Sequence, residues 1–469
     1  MGYFELNANI GRKAKVFQEA AKEFGHEVMR PAGIELDKLQ DPADVMAKGS
    51  RLWDVLKKSR ELGFHKLMIP RAYGGLMGKA PDNAMSLVAE QMGYADAGLA
   101  ISMEVASMPF AFAVIAPDAR VRNWAREYAE DLEANMVGCW AITEPDHGTD
   151  WVMGITREGT NPKTAPSLKA VKKGDEYILN GRKSAWVSNG TIATHAVLHV
   201  GLDQSKGMHG AGLAMCPLDL PGISKGKPLD KIGQRPLNQG EIIFEEVKLH
   251  QKYMIIPVPG FFGGNILGAT FLGVANSQMG LTFSGLARAV FDEAFRFAKE
   301  NTMSGAPLIE QQNIRLKLFN MFMASESARL FAHTVTERLR SGRPNPVARA
   351  VTSLFLSTRA PFWAAGKGVQ RFFKLYEKYH ENEKVAALVK RFSRLDRDGG
   401  IIDWGKYGIA SKILATETAF NVASEAMQIF GGKGLTTEYP IEKMFRDARA
   451  SLIEDGANES LALAAAESL

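Results

Sequence analysis

Residues 141–150 read AITEPDHGTD, and the pattern of the chain changes on either side of them. Up to about Val137 apolar residues recur every three or four positions, which predicts helices. Beyond this stretch, short β-rich runs alternate with turns rich in Gly, Asp and Asn, a spacing typical of a small antiparallel barrel or sandwich. From about Ala275 long amphipathic helical patterns return. The sequence therefore predicts an α+β multidomain protein with a helical domain at 1–137, a β domain at 138–259 and a helical bundle at 260–469.

The overall composition indicates an ordinary globular protein, because 46% of the residues are hydrophobic and 23% are charged. A formal net charge of +5 is too small to indicate nucleic-acid binding, although it suits an anionic ligand. Cys139 and Cys216 are too few for a disulfide framework or a thiolate metal site. The start of the chain has no apolar signal core. We therefore expect a reducing, cytoplasmic location.

The stretch from Met254 to Ala287 has no charged residue, and it is long enough to span a bilayer. Two prolines, a GFFGG cluster and three side-chain amides interrupt it, however, and such interruptions suit an apolar span poorly. We therefore expect a glycine-rich loop that leads into a buried helix, and no transmembrane segment.

Local patterns predict where several elements turn or end. Pro31 is expected to help end the first helix. The run ILNGRKSAWV predicts a β-hairpin with its turn at Asn180–Gly181. The pair Gly431–Gly432 is expected to cap a long helix, since the strand–turn–helix context of a phosphate-binding loop is missing. The nine histidines show no metal-ligand spacing, so no metal site is predicted.

Two segments have residues that suit a bound ligand. The loop at 141–150 contains Pro145 and Gly148, and its free backbone amides are available to a ligand, although a turn between two domains explains it equally well. Farther along, KSAWVSNG places Trp186 and the Ser188 hydroxyl on one face of a predicted strand, since alternate residues share a face. An aromatic ring beside a hydroxyl suits a flat heteroaromatic molecule, and a core tryptophan is the alternative interpretation.

Four segments, in chain order, resemble signatures of the acyl-CoA dehydrogenase family. ITEPDHGTD is similar to TEP-x-x-GSD, and NGRKSAWVSNG is similar to NG-x-K-x-W-I-T-NG. GQRPLNQGEIIFEEVKL resembles the family's G-x-R segment ending in F-x-x-V, and MQIFGGKGLTTEYPIEKMFRDAR resembles QIFGG…YP-x-E-x-x-RDAR. The similarity is collinear from about Val16 to Leu463, apart from one insertion. It implies an N-terminal helical domain, a middle antiparallel β-barrel or sandwich and a C-terminal four-helix bundle.

The resemblance also implies an FAD between the β domain and the bundle, and at least a homodimer, with a homotetramer expected. Residues 140–143 would touch the flavin, Trp186 would pack on the isoalloxazine ring, and Ser188 would bond near its N5 atom. The adenine end would be held from a neighbouring subunit. The cofactor-binding residues implied in this way are Trp140, Ile142, Thr143, Gly148, Thr149, Trp186 and Ser188 for the flavin end, and Gln312, Gln428, Gly431 and Gly432 for the adenine end.

The chain departs from the family pattern at two places that bear on the cofactor. The family usually has an arginine followed by Phe-Gly where residues 301–305 read NTMSG, so a charged contact to the FAD pyrophosphate is missing. The family's late EGT is replaced by DGA at residues 455–457, and this replacement removes a hydroxyl near the flavin.

The family's reaction removes a proton α to a thioester and a hydride from the β-carbon, so it needs a base and stabilisation of the developing enolate. Asp455 aligns with the catalytic glutamate of the family and is one methylene shorter. Glu104 aligns with residues at the far end of the acyl pocket, where a few dehydrogenases of alicyclic acyl-CoAs carry their base; a solvated or salt-bridged glutamate is the alternative interpretation. Glu454 is adjacent to Asp455, and adjacent residues rarely point at one spot. The predicted order is Asp455, then Glu104, then Glu454.

Residues 343–403 form an insertion that common family members mostly lack. This segment is basic and carries aromatic residues at helical spacing. We expect an extra helical hairpin packed on the bundle, because aromatic stripes are usually buried. A docking surface for a redox partner, or peripheral contact with a membrane, is the alternative.

The sequence therefore predicts an FAD-dependent acyl-CoA dehydrogenase that passes electrons to an electron-transferring flavoprotein. The shortened base and Glu104 favour a cyclic, branched or aryl-substituted acyl-CoA as substrate. A second hypothesis is nitroalkane-oxidase-like chemistry on the same fold, because those relatives resemble this chain in placing an aspartate at the base position. A third is a catalytically silent subunit that acts in binding or assembly, which the missing arginine and Ala457 support.

Overall fold

The computed structural model describes residues 4–7, 10–150, 161–257, 267–341 and 401–466. The insertion predicted at 343–403 therefore lies almost entirely outside the described residues. Within the described part, the chain runs from helices to a β domain and back to helices. This order confirms the predicted fold class, and it follows from the change in the spacing of apolar residues along the chain.

The helices of the N-terminal region pack around an apolar core that includes Phe24, Leu56 and Leu99. The Asp96 carboxylate accepts a hydrogen bond from the Leu99 amide at 2.9 Å and so starts the helix that carries Glu104. The helices are α1 (Arg12–Phe24), α2 (Arg30–Asp37), α3 (Pro42–Val45), α4 (Arg51–Glu61), α5 (Ala84–Ala95), α6 (Ala97–Ala113) and α7 (Ala119–Glu130).

The expectation that Pro31 ends the first helix is wrong. A π-helical turn at Gly25–Met29 joins α1 to α2, and Pro31 lies in the first turn of α2. Proline is tolerated in a first turn, since the N–H that it lacks would have no partner within the helix there.

The β domain is one sheet with the strand order β6-β7-β3-β2-β4-β5-β8, and β1 pairs with β4 in parallel. Most other pairs are antiparallel, although β2 and β4 also meet in parallel at one residue pair. Leu179, Leu198 and Phe244 are buried in its apolar core. The strands are β1 (Gly138–Ala141), β2 (Lys169–Lys173), β3 (Glu176–Lys183), β4 (His195–Gly201), β5 (Ala211–Pro217), β6 (Ile223–Lys225), β7 (Ile242–His250) and β8 (Met254–Ile256).

The predicted hairpin turn at Asn180–Gly181 is wrong, because both residues lie inside β3. The pairing of β3 with β7 shifts register between Leu179 and Gly181, and Gly181 has a φ of 137°. The same dipeptide that favours a tight turn therefore serves a β-bulge here. The hairpin turn lies earlier, at Gly174–Asp175, where β2 meets β3.

The C-terminal helices bury a core that includes Phe283, Phe291 and Ala423. The last long helix ends at Phe430, and Gly431 follows with a φ of 59°, which confirms the predicted glycine cap. No described helix has the length and hydropathy needed to cross a membrane. The elements are α8 (Leu267–Glu300), β9 (Thr302–Met303), β10 (Ala306–Pro307), α9 (Gln312–Ser341), α10 (Ile401–Phe430), α11 (Ile441–Ser451) and α12 (Asn458–Ala466).

Buried ion pairs join the N-terminal helices to the C-terminal helices. Glu90 on α5 accepts from Arg329 Nε at 2.6 Å, and its other oxygen lies 2.7 Å from His333 Nε2. At the start of α6, Asp96 pairs with Lys443 of α11, with 2.6 Å between Oδ2 and Nζ. These contacts fix α5 and α6 against the bundle, so the residues that α6 carries have defined positions relative to α8 and α11.

Candidate active site

The loop at 141–150 is held by a buried ion pair that was not predicted. The turn closes by two backbone bonds, from Glu144 N–H to His147 O at 2.8 Å and from His147 N–H to Glu144 O at 3.1 Å. The Glu144 carboxylate accepts from Lys183 Nζ at 2.7 Å and from Ser167 Oγ at 2.7 Å. Burial opposes ionisation of Glu144, but the lysine charge and the hydrogen bonds keep its pKa below the usual value. The loop is therefore anchored to the end of β3.

Trp186 and Ser188 do not lie on a strand, which corrects the prediction of a shared strand face. β3 ends at Lys183, and the chain turns through residues 184–187. Even so, both side chains remain accessible while Val187 between them is buried, and Trp186 is 61% exposed. Gln239 Nε2 donates to the Trp186 carbonyl and to Ser188 Oγ, both at 3.2 Å. The aromatic face and the hydroxyl are therefore presented together by a turn.

The side chains of Trp140 and Ile142 are engaged within the chain. Trp140 Nε1 donates to His199 Nε2 at 2.8 Å, and burial holds the pKa of His199 well below its ordinary value, so the ring is a neutral acceptor. Ile142 packs on the cluster of Met208 and Ala211. Any contact of this segment with a cofactor therefore falls to its backbone and to Thr143, whose Oγ1 accepts from Ser184 Oγ at 2.9 Å.

The loop of the β domain meets the loop before α12. The Ala457 amide donates a long hydrogen bond, 3.5 Å, to Thr149 Oγ1. Gly148 lies beside this contact in the chain, and a Cβ built on it would meet no heavy atom within 4 Å. The structure thus brings two of the predicted flavin-end residues next to the segment that carries Asp455.

Asp455 lies in the loop between α11 and α12, with a φ of 50° that non-glycine residues rarely adopt. The residue is accessible to solvent, yet the surrounding protein atoms exclude part of the water from its carboxylate. This desolvation raises its pKa. The charge of Lys412 acts in the opposite direction. A group that is both accessible and poorly hydrated is typical of a residue that lines a cleft.

Glu104 lies on α6 and faces α8. Its Oε1 accepts from Gln278 Nε2 at 3.2 Å and from Thr282 Oγ1 at 3.1 Å. Burial raises the pKa of Glu104 to about 7, and the negative charge of Asp455 adds to the rise. These hydrogen-bond partners are neutral, so the salt-bridged alternative finds no support among the described residues. The two highest-ranked candidates for the base therefore act on each other electrostatically, although one lies on α6 and the other near α12.

Glu454 faces a different set of groups. Burial raises the pKa of Glu454 to about 7, against the opposing effect of the neighbouring Gln234 side chain. The cation with the largest effect on this pKa is Lys231, whose Nζ donates to the Leu237 carbonyl at 2.8 Å and to Gln239 Oε1 at 2.9 Å. Glu454 thus belongs with the segment before β7, as expected for neighbours that point apart.

The residues predicted for the adenine end lie at the far end of the bundle. Gln312 at the start of α9 and Gln428 near the end of α10 are exposed, as are Gly431 and Gly432. The helical rise from Lys412 to Gln428 is roughly 24 Å. The structure therefore does not bring these residues to Asp455 within one chain, and only a long ligand or a second subunit could connect the two groups.

The predicted flavin-end groups suit a flat, hydrogen-bonding cofactor. They combine the exposed ring of Trp186, the hydroxyls of Ser188 and Thr149 and the open backbone at Gly148. Within the described ranges, no cluster of His, Cys, Asp or Glu could hold a metal ion. The predicted flavin-end groups therefore fit an FAD.

Several residues of the site escaped the sequence analysis, among them Lys183, Lys231 and Lys412. Lys412 is fully buried. A lysine inside the apolar run IASKILA was the available signal, because buried lysines are rare unless their charge has a partner. The groups that contact Lys412 lie on elements distant in sequence, so the local sequence does not indicate them.

Comparison with known families matches nearly the whole chain. The pattern described as "Acyl-CoA dehydrogenase, N-terminal domain" matches residues 12–129, and "Acyl-CoA dehydrogenase, middle domain" matches residues 139–247. "Acyl-CoA dehydrogenase, C-terminal domain" matches residues 269–372 and 373–469.

Individual relatives are distant but cover the chain. The short-chain specific acyl-CoA dehydrogenase of Mus musculus mitochondria is 25% identical over 452 residues, 95% of this chain and 87% of that relative. A 3-(aryl)acrylate reductase of Clostridium sporogenes is 24% identical over 449 residues, 95% of both chains. The structure of butyryl-CoA dehydrogenase from Megasphaera elsdenii has a TM-score of 0.74 at 22% identity and covers 98% of this chain and 99% of that one.

Proposed function

Because this chain belongs to the acyl-CoA dehydrogenase family of oxidoreductases, we propose that it converts an acyl-CoA thioester to an enoyl-CoA with Asp455 as the base. The observation that supports this assignment is the loop before α12, which carries the poorly hydrated carboxylate of Asp455 and contacts Thr149 of the β domain through the Ala457 amide. A carboxylate with a raised pKa is a stronger base, and removal of a proton α to a thioester needs one.

The proposed reaction moves one proton and one hydride. The α C–H bond breaks and its proton passes to an Asp455 carboxylate oxygen, while a hydride leaves the β-carbon and the α–β double bond forms. Bound FAD would supply the hydride acceptor. Trp186 and Ser188 would then orient the flavin ring, with Thr149 and the open backbone at Gly148 beside it, and the backbone of residues 142–143 would close the same side. An electron-transferring flavoprotein is the proposed acceptor of the electrons afterwards.

The presence of Glu104 near the proposed base favours an unusual acyl group in the substrate. Glu104 places a carboxyl of raised pKa within electrostatic range of Asp455, and its Oε1 is held by hydrogen bonds from Gln278 and Thr282. This second carboxyl and the shortened base at Asp455 favour a cyclic, branched or aryl-substituted acyl-CoA. The name of the Clostridium sporogenes relative, a 3-(aryl)acrylate reductase, supports the aryl form of this proposal.

The proposal can be tested by anaerobic bleaching of the FAD-loaded protein with linear, branched, cyclic and 3-aryl acyl-CoAs. We expect a ring-bearing thioester to reduce the flavin fastest. Asp455→Asn should slow that reduction by roughly 10²–10⁴-fold, because a positioned base is removed. Glu104→Gln serves as the matched carboxylate variant and should retain most of the rate.

Each other outcome is informative. A saturated linear acyl-CoA that bleaches the flavin faster than any ring-bearing one would overturn the substrate class. Normal bleaching of Asp455→Asn together with silence of Glu104→Gln would move the role of base to Glu104. If no thioester bleaches the wild type, the acyl-CoA assignment is wrong.

Two other functions on the same fold remain distinguishable. The aspartate at the base position favours nitroalkane-oxidase-like chemistry, which rapid reoxidation of the reduced flavin by oxygen would reveal. A catalytically silent binding or assembly subunit is favoured by Asn301 and Ala457, and a purified protein that never takes up FAD would point to it. The long match to acyl-CoA dehydrogenase patterns makes the dehydrogenase the better-supported proposal.

A homodimer or homotetramer is part of this proposal. One face of α9 exposes Leu316, Phe319 and Met323 at 62%, 61% and 53%, and a row of apolar side chains on a helix face is typical of an interface. The separation of Gln428 from Lys412 along α10 is also consistent with a second chain that completes the cofactor site. Sedimentation of wild type and Phe319→Asp would test it, with a smaller species expected for the variant.

The two free, buried cysteines suit the proposed cytoplasmic location.

A further inference from the structure

The end of α8 and the end of α10 are joined through one lysine. Lys433 follows Gly431–Gly432, and its Nζ donates a 2.8 Å hydrogen bond to Asn301 Oδ1, directly after α8. The ammonium also lies 5.5 Å from the centre of the Phe297 ring and 5.9 Å from that of Tyr439. A flexible lysine is therefore held in place by a polar bond and two aromatic rings.

This cation is available to an anionic ligand. Lys433 is exposed, and an ammonium has three N–H donors, of which the contact to Asn301 uses one. Glu300 is adjacent to Asn301 in the chain, but it pairs with Arg296, with 2.7 Å between Oε2 and Nη1. Within the described residues no carboxylate lies at salt-bridge distance from Lys433, so its positive charge is not neutralised there.

The backbone beside Lys433 is open as well. A Cβ on Gly431 or Gly432 would meet no heavy atom within 4 Å. Three residues after Asn301, Ser304 and Gly305 have positive φ values of 54° and 83° and form the exposed two-residue turn between β9 and β10. An ammonium next to exposed glycine backbone is an arrangement that suits a phosphate or diphosphate group.

We propose that Lys433 supplies the cationic contact to the FAD diphosphate that the family places on an arginine at position 301. Asn301 is the positioning residue, since its side-chain oxygen holds the ammonium where the guanidinium would otherwise act. The inference rests on the proposed FAD-dependent function, and it names a cofactor contact particular to this chain. The positive charge that is lost with asparagine at position 301 is supplied instead by Lys433, in the glycine-rich segment after α10.

The test compares the binding of FAD and of riboflavin to apoprotein by quenching of flavin fluorescence. Lys433→Met should weaken FAD binding by roughly 10–100-fold, the range of one charge-assisted hydrogen bond, and should leave riboflavin binding unchanged. Lys433→Arg should bind FAD like the wild type. Adding Asn301→Arg to Lys433→Met should restore the affinity for FAD. Lys299→Met, an exposed lysine near the end of α8, is the matched control and should have no effect.

Three results would overturn the inference. Unchanged FAD binding by Lys433→Met would show that the charge makes no contact with the diphosphate. An equal loss of FAD and riboflavin binding, or a changed sedimentation coefficient, would assign Lys433 a purely structural role. If the wild-type apoprotein binds no FAD at all, both the proposed function and the inference are wrong. This result differs from the first two, in which the wild type binds FAD and only the Lys433 variant contradicts the inference.

Discussion

Lys412 Nζ donates a 3.0 Å hydrogen bond to the carbonyl oxygen of Gly456, the residue that follows Asp455. The same ammonium donates to Asn458 Oδ1 at 2.7 Å. A buried cation on α10 therefore holds both ends of the short segment between Asp455 and α12. This support is consistent with the left-handed backbone of Asp455, a conformation that persists only where the surroundings enforce it.

Removal of this cation should change the pH dependence of catalysis. Desolvation raises the pKa of Asp455, and the charge of Lys412 lowers it. In Lys412→Met that pKa should rise, so Asp455 stays protonated to higher pH and the acid limb of flavin reduction moves toward higher pH. Stopped-flow reduction by an acyl-CoA across pH 5–9 measures this, with the exposed Lys58→Met as control. An acid limb at the wild-type position would contradict the prediction.

Glu104 should make the protein less stable as the pH rises. Its pKa is about 7 in the folded chain, above the ordinary glutamate value of 4.5, so the folded state binds the proton more tightly than the unfolded state does. Stability is therefore greatest below the unfolded-state pKa, and it falls as the pH rises toward 7, by up to about 3 kcal/mol. Glu104→Gln removes this loss and should stabilise the protein at pH 8 while having little effect at pH 4. Urea unfolding at the two values tests it; equal effects at both would refute the assignment.

Removal of only one member of the Glu144–Lys183 ion pair should destabilise the protein. Both side chains are fully buried, with 2.7 Å between Oε1 and Nζ. Lys183→Met leaves an unpaired buried carboxylate and should lower the free energy of unfolding by about 3–5 kcal/mol. The double variant Glu144→Leu with Lys183→Met should recover part of that loss. Denaturant midpoints report both effects, and a loss under about 1 kcal/mol for the single variant would mean that the pair is solvated.

Gly93 should tolerate no side chain, because α5 and α8 touch there. A Cβ on Gly93 would lie 2.0 Å from the Thr282 carbonyl oxygen. Gly93→Ala must push the helices apart and should destabilise the protein by about 1–3 kcal/mol. Thr282 also bonds to Glu104, so the pH dependence of stability should weaken in the same variant. Gly148→Ala, which meets no heavy atom within 4 Å, is the control and should stay within about 1 kcal/mol of the wild type.

Prediction from the sequence succeeded where the signal was local and failed where one pattern served two structures. Apolar spacing predicted the order of helical and β regions, and Gly431 ends α10 as expected. Asn180–Gly181 suits both a tight turn and a β-bulge, and pairing with β7 selected the bulge. KSAWVSNG has the alternation of a strand, but residues 184–187 turn instead. The domain boundaries and the roles of the site residues stay predictions.

The sequence by itself determined the family and the order of the helical and β regions, and it predicted Asp455 as the base from its alignment with the family's glutamate. These follow from backbone preferences and from motifs that are short in sequence. Only the tertiary structure decided that Asp455 acts electrostatically on Glu104, that Lys412 holds the loop before α12, and that Lys433 reaches Asn301. The reason is physical: desolvation and charge interaction depend on which groups meet in space, and the groups here come from separate helices whose packing no local pattern encodes.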